Sequence, residues 1–214
     1  MSVEVKICGL TNPDDAAVAV AAGASYLGVI FAGGPRLVPG PVARSVVAAA
    51  KGRPVFGVFG ETTAEIVLRS RETSGISGAQ LHAAHTARLA RQLRVEGMLV
   101  WRVVRLASEA DLDRLDEAMA DADAILIEPR VTRALGGTGT ALSLELAARA
   151  RSRLGARRLV LAGGLTPETV AQAIDRVHPE VVDVSSGVER EPGRKDRTRL
   201  IRFLEAVREH HSPS

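Results

Sequence analysis

Apolar residues along this chain fall into short, nearly continuous runs, and between them lie stretches whose apolar positions recur at helical spacing. The first run, Val3, Val5 and Ile7, ends abruptly in Cys8-Gly9. Asn12-Pro13-Asp14-Asp15 follows, offering an N-cap, a proline suited to the first helical turn and two acids beside it. The pattern then repeats. It predicts a helix over 14–22 stopped by Gly23, a strand over 26–31, a helix over 41–50, a strand over 55–59 and a weaker helix over 64–71. A strand over 76–81 is weakened by Gly75 and Gly78, and helices over 86–94 and 111–119 flank an unbroken apolar strand over 98–104 that carries Trp101 and Arg102. Further strands are expected over 124–127, 159–162 and 181–184. Helices are expected over 144–154, after Thr166-Pro167-Glu168 on the face Val170, Ala173, Ile174 and Val177, and finally on the stripe Leu200, Phe203, Leu204 and Val207.

Eight strand–helix pairs in 214 residues leave about 27 residues each, near the lower end for a (β/α)8 TIM barrel. The strands are apolar on both faces, as strands covered on both sides must be. A doubly wound open sheet shares the same alternation, but count and spacing favour closure. No linker or low-complexity tract divides residues 1–214, so a single domain of class α/β is expected, with only 210–214 reading as a frayed tail.

Composition narrows the partners. At 46% hydrophobic and 25% charged residues the chain supports a sizeable core and is not disordered. Its single cysteine forbids an internal disulfide and suits a reducing, cytoplasmic compartment; no leader pattern opens the chain. Ala16 to Pro35 carries no charge, yet it is mostly alanine and Gly23 splits it, so a membrane span is rejected. The net charge is +3, the basic residues are scattered and aromatics make up 3%, which argues against a nucleic-acid partner.

In a closed barrel the chemistry sits where strands run out at their carboxyl ends. Strand one ends in Cys8-Gly9, and strand two runs into Gly33-Gly34-Pro35-Arg36. Strand four ends in Gln80-Leu81-His82, and strand six in Glu128, followed by Gly136-Gly137-Thr138-Gly139. Strands seven and eight end in Ala162-Gly163-Gly164-Leu165 and Ser185-Ser186-Gly187. Small residues there let backbone N–H groups approach an anion, so Gly163, Gly164, Ser186 and Gly187 form the candidate phosphate site; taken singly, each loop is also what a tight turn needs. No P-loop or dinucleotide fingerprint is present. Arg36 suits a carboxylate clamp, or is simply solvated. His82 lines the pocket or satisfies a local hydrogen bond, and His82 with His85 does not make a zinc pattern. Cys8 and Glu128 remain as a titratable pair. A tuned thiol can act as base, and a carboxyl at an apolar mouth can keep a proton to donate, which suits moving a proton between adjacent carbons; a lone thiol is also an ordinary small core residue, and Glu128 a surface carboxylate.

Lys6-Ile7-Cys8-Gly9-Leu10-Thr11, Gly34-Pro35-Arg36, Gln80-Leu81-His82, the glycine loop at 136–139, Leu161-Ala162-Gly163-Gly164-Leu165 and Asp183-Val184-Ser185-Ser186-Gly187-Val188-Glu189 together resemble the phosphoribosylanthranilate isomerases of tryptophan biosynthesis. The resemblance spans nearly the whole chain. It implies an Amadori rearrangement of N-(5'-phosphoribosyl)anthranilate to the 1-deoxyribulose 5-phosphate, without metal or cofactor, by a monomer or homodimer. It further implies Cys8 as general base, Arg36 at the anthranilate carboxylate, and phosphate on Gly164, Ser186 and Gly187; Gly163, from the residue reading, joins that phosphate site, and His82, at the end of strand four, is placed with Arg36 at the substrate. The family's acid is an aspartate at the end of strand six, where this chain has Glu128-Pro129. Gly34 replaces the usual serine, Thr140 a common lysine and Ala83 a glycine. These departures keep two alternatives open: a diverged paralogue acting on another phosphorylated amino sugar, and a non-catalytic relative that binds phosphate ligands. The related histidine-pathway isomerase uses an aspartate where Cys8 stands, which argues against that role.

Overall fold

The computed structural model describes residues 2–82, 87–130 and 142–210. Eight parallel strands close on themselves in sequence order: β1 (Glu4–Ile7), β2 (Tyr26–Ile30), β3 (Val55–Phe59), β4 (Gly78–Leu81), β5 (Leu99–Leu106), β6 (Ala124–Pro129), β7 (Leu159–Ala162) and β8 (Val181–Val184). The ring is sealed by β1 against β8, with Glu4 opposite Val181 and Ile7 opposite Val184. This is the (β/α)8 barrel expected from the repeat. The open-sheet alternative is excluded by that last pairing.

The connecting helices are α1 (Pro13–Ala22), α2 (Gly40–Ala49), α3 (Ala64–Ser74), α4 (Ala87–Val95), α5 (Arg114–Ala118), α6 (Leu144–Leu154), α7 (Val170–Val177) and α8 (Arg197–Glu209). α1 begins as its sequence implies: the Asn12 side chain accepts from the Asp15 N–H, and Gly23 ends the helix at φ 106°. The uncharged stretch from Ala16 to Pro35 is thereby divided between α1, β2 and the following loop. Among the described residues no helix is long and apolar enough to cross a membrane.

Several boundaries differ from the sequence reading: β4 starts at Gly78 and not at 76, and α3 runs on to Ser74. The helix expected over 111–119 begins as a 3-10 turn at Glu109–Asp113 and becomes α-helical only in α5, because Asp111 accepts from the Ala107 and Ser108 N–H groups and sets the turn two residues early. β5 and β6 run two residues beyond their apolar stretches, keeping Arg105 opposite Glu128. After β8, a 3-10 turn (Ser186–Val188) leads into a small antiparallel hairpin, β9 (Glu189–Glu191) and β10 (Arg194–Lys195), in a charged segment with no strand pattern. His210 follows α8 and pairs with Asp175 at 3.2 Å; the remainder of the expected tail, 211–214, lies outside the described residues.

Side-chain alternation along the strands sorts the residues into two cores. Ile7, Leu27, Val29, Ile125, Ile127, Val182 and Val184 face outward into the shell packed by the helices. Phe56, Trp101, Ala124, Leu126, Val160 and Val181 face the barrel axis with Tyr26 beside them. The Trp101 ring lies 4.1 Å from Phe56 and 5.1 Å, edge on, from Tyr26, so three of the chain's few aromatics plug the barrel below the mouth. Above that plug the same inward parity carries polar residues.

Candidate active site

Lys6 and Cys8 share the inward parity of β1. Lys6 is fully buried and its Nζ lies 3.0 Å from both carboxylate oxygens of Asp183 on β8. Gly28 on β2 makes room for both: a Cβ there would sit 2.8 Å from Cys8 Sγ and 3.1 Å from Lys6 Nζ. Burial pushes the Cys8 thiol above its ordinary range; the Lys6 ammonium pulls it back without cancelling the rise, to which the Asp183 charge adds. For Lys6, burial opposes the charge, but Asp183 and Cys8 outweigh it and hold the ammonium above its ordinary range.

All eight residues expected at the site, Cys8, Arg36, His82, Glu128, Gly163, Gly164, Ser186 and Gly187, border one cavity of about 240 Å³ at the carboxyl ends of the strands. The glycine loop at 136–139, with Thr140, and Ala83 and His85 lie outside the described residues. At the rim, Gly163 and Gly164 take φ values of 98° and 76°, conformations that side chains rarely adopt. Gly187 is fixed by a closer constraint, since a Cβ on it would lie 1.9 Å from the Leu165 carbonyl oxygen. The two candidate phosphate loops thus touch backbone to backbone. Gly187→Ala is expected to force them apart at a cost of about 1–3 kcal/mol and to weaken inorganic phosphate binding about tenfold. Thermal unfolding and calorimetric titration measure both; unchanged phosphate affinity would remove this loop from the anion site.

Glu128 differs from its sequence reading. Its Oε1 accepts from Arg105 Nε at 2.7 Å and lies 3.2 Å from His82 Nδ1. Burial favours its protonated form, yet the hydrogen bonds and charges of His82 and Arg105 outweigh burial and hold the carboxyl below the usual range. The expectation that an apolar mouth keeps this proton in place is therefore corrected. The resting protein favours a thiol at Cys8 and a carboxylate at Glu128.

Arg36 makes the two parallel hydrogen bonds expected of it, but to Glu189 of its own chain, with Nε to Oε1 at 2.8 Å and Nη2 to Oε2 at 2.6 Å. Glu189 also receives Lys195 Nζ at 2.9 Å, and the same ammonium donates to the Cys8 and Ser185 carbonyl oxygens at 2.6 and 3.1 Å. The sequence reading passed over Lys195 and Arg105, and it quoted Lys6 and Glu189 within motifs without giving either a role. For Arg105 the signal was available in the alternation Trp101, Val103, Arg105, which carries inward parity past the end of the apolar run. Ser185 Oγ and Gln80 Oε1 are buried without a partner among the described residues, and both residues border the cavity.

A family model described as N-(5'phosphoribosyl)anthranilate (PRA) isomerase matches residues 5–206. An N-(5'-phosphoribosyl)anthranilate isomerase of Rubrobacter xylanophilus is 38% identical over 207 residues, covering 96% of this chain and 98% of that protein. A Geobacter relative of the same name is 39% identical over 203 residues, covering 94% and 96%. The phosphoribosyl anthranilate isomerase structure from Thermotoga maritima aligns with a TM-score of 0.87 at 33% identity, covering 97% of this chain and 99% of that one. Another, solved with reduced 1-(o-carboxyphenylamino)-1-deoxyribulose 5-phosphate, aligns with a TM-score of 0.84 at 32% identity, with the same coverage. From residue 5 to residue 206 the sequence, and around the whole ring the fold, agree on one assignment: this chain belongs to the N-(5'-phosphoribosyl)anthranilate isomerase family.

Proposed function

We propose that this chain isomerises N-(5'-phosphoribosyl)anthranilate to 1-(2-carboxyphenylamino)-1-deoxyribulose 5-phosphate, with Cys8 as base and Glu128 as acid. The observation that carries the reading is one small cavity bordered by Cys8 from the first strand, Glu128 from the sixth and the glycine loops after the seventh and eighth. The substrate's phosphate is held by the backbone N–H groups of those loops, at Gly163, Gly164, Ser186 and Gly187, which need no cation to bind an anion. Arg36, already charged and fixed by Glu189, meets the anthranilate carboxylate, and His82 lies on the Glu128 side of the sugar.

Glu128 gives a proton to the ribose ring oxygen as the C1–O bond breaks, and the nitrogen lone pair forms the C=N bond of the open imine. Cys8, its thiol proton first released to solvent, then takes the proton from C2 as thiolate, and the electrons of that bond return to the nitrogen through C1. The enolamine takes a proton at C1 and loses the one on its C2 hydroxyl, leaving the ketone. Every proton lost is regained elsewhere, so no redox partner or cofactor enters the balance. All these groups come from one barrel, so a monomer or a homodimer serves equally, in the cytoplasm where the thiol stays reduced.

The purified protein is expected to consume phosphoribosylanthranilate, read as loss of the substrate's fluorescence. Glu128→Gln, which keeps the side chain's shape but cannot donate as an acid, is expected to lower kcat about 10³-fold. Binding without turnover by the unaltered protein would leave the phosphate-binding relative as the better reading.

A further inference from the structure

Glu128 is held as a carboxylate between Arg105 and His82, whereas opening a furanose requires a proton on that carboxyl. The local geometry offers a store for it. His82 stands just past β4 with an 18% exposed side chain, so water can reload it, and its Nδ1 faces two partners of opposite character. Glu128 Oε1 at 3.2 Å accepts a proton from Nδ1, while Arg105 Nη2 at 3.3 Å donates to Nδ1 when the ring is neutral there. Gln80 supplies the same duality on the other nitrogen. Its amide nitrogen lies 2.7 Å from His82 Nε2 and its buried Oε1 has no partner among the described residues; an amide turned end for end gives that oxygen the ring's Nε2–H. The imidazole therefore has a hydrogen-bond partner whether Nδ1 holds a proton or has lost it. A side chain serving only as packing has no use for that.

We propose that His82 is a relay residue: the proton that opens the ribose ring rests on His82 Nδ1 and passes to Glu128, which delivers it, while Arg105 fixes the Glu128 carboxylate. In the step, the Nδ1–H bond breaks as an O–H bond forms on Glu128. Glu128 protonates the ring oxygen as the C1–O bond breaks, and neutral His82 then accepts from Arg105 until water restores its proton. Among the described residues the charged groups in contact with His82 are Glu128 and Arg105; Glu61, Arg102, Arg114, Glu117 and Arg130 line one cavity that His82 borders, and Cys8, Arg36 and Asp183 line the other. The proposal rests on the isomerase reading and on Glu128 as acid.

The test is the pH dependence of turnover by His82→Gln, which keeps a hydrogen-bonding side chain but cannot carry the proton. If His82 stores the proton, kcat at about pH 7.5 falls about 100-fold with KM within about threefold, and the gap to the unaltered enzyme narrows as pH falls towards about 5, where Glu128 takes its proton directly from water. If Glu128 acts alone, loss of the His82 contact makes its carboxyl easier to protonate, and kcat at neutral pH holds or rises; that outcome overturns the relay. A loss of kcat that does not narrow at low pH also overturns it, assigning His82 a structural role. Glu128→Gln in the same assay separates the two levels: full activity there refutes the acid assignment itself, whatever His82→Gln does.

Discussion

Cys8→Ala lowers kcat about 10⁴-fold, at the upper end of what a general base contributes, while phosphate binding and thermal stability stay close to those of the unaltered protein. The substitution removes one sulfur from the cavity wall. It leaves intact the Lys6–Asp183 pair beside it and the Lys195 contact to the Cys8 carbonyl, which any residue at this position supplies. Turnover by Cys8→Ala within tenfold of the unaltered enzyme would refute the assigned base. Because the chain has one cysteine, the thiol can also be titrated without background by following iodoacetamide alkylation against pH. Burial raises the Cys8 pKa, so its thiolate fraction near neutrality lies below that of free cysteine, and alkylation accelerates only at higher pH than for the free amino acid.

The second large effect is on stability. Lys6→Met leaves the Asp183 carboxylate, 6% exposed, without its counter-charge inside the barrel. Breaking a buried pair in this way costs about 3–5 kcal/mol, and for a chain of this size that corresponds to a fall in Tm of about 6–20 °C. The same change withdraws the ammonium that favours the Cys8 thiolate, so alkylation of Cys8 shifts to still higher pH. Lys6→Met combined with Asp183→Leu removes both charges and is expected to recover most of the lost Tm, since an apolar pair of similar volume avoids the desolvation of two ions. A double variant no more stable than Lys6→Met would show that the loss came from packing and not from the orphaned charge.

The barrel was legible because its strands are buried on both faces, which writes them as unbroken apolar runs, and because strand ends in such a fold are where loops can carry function. Legibility failed where polarity and burial part company. Arg105 was passed over because the apolar run of β5 stops at Val104, although backbone pairing continues to Leu106. Lys195 and Glu189 lie in a hairpin whose alternating charges look like a solvated surface. Only the folded ring brings Lys195 to Cys8, 187 positions earlier, and there the chain ends up burying a lysine and a glutamate against each other. Glu128 was found at its strand end, but its charge state depends on neighbours from β4 and β5 that no local pattern links to it. The position of Glu128 at the cavity was readable from the sequence; its resting charge was not.

The β1–β8 seam bears on how the protein is made. Until Val181–Val184 has left the ribosome, the nascent chain carries a row of unpaired backbone groups along β1 and another along β7. Each is a template for joining a neighbouring copy. The interval between synthesis of the first strand and emergence of the last is thus the period in which misassembly competes with folding, and slowing translation between β1 and β8 would lengthen it.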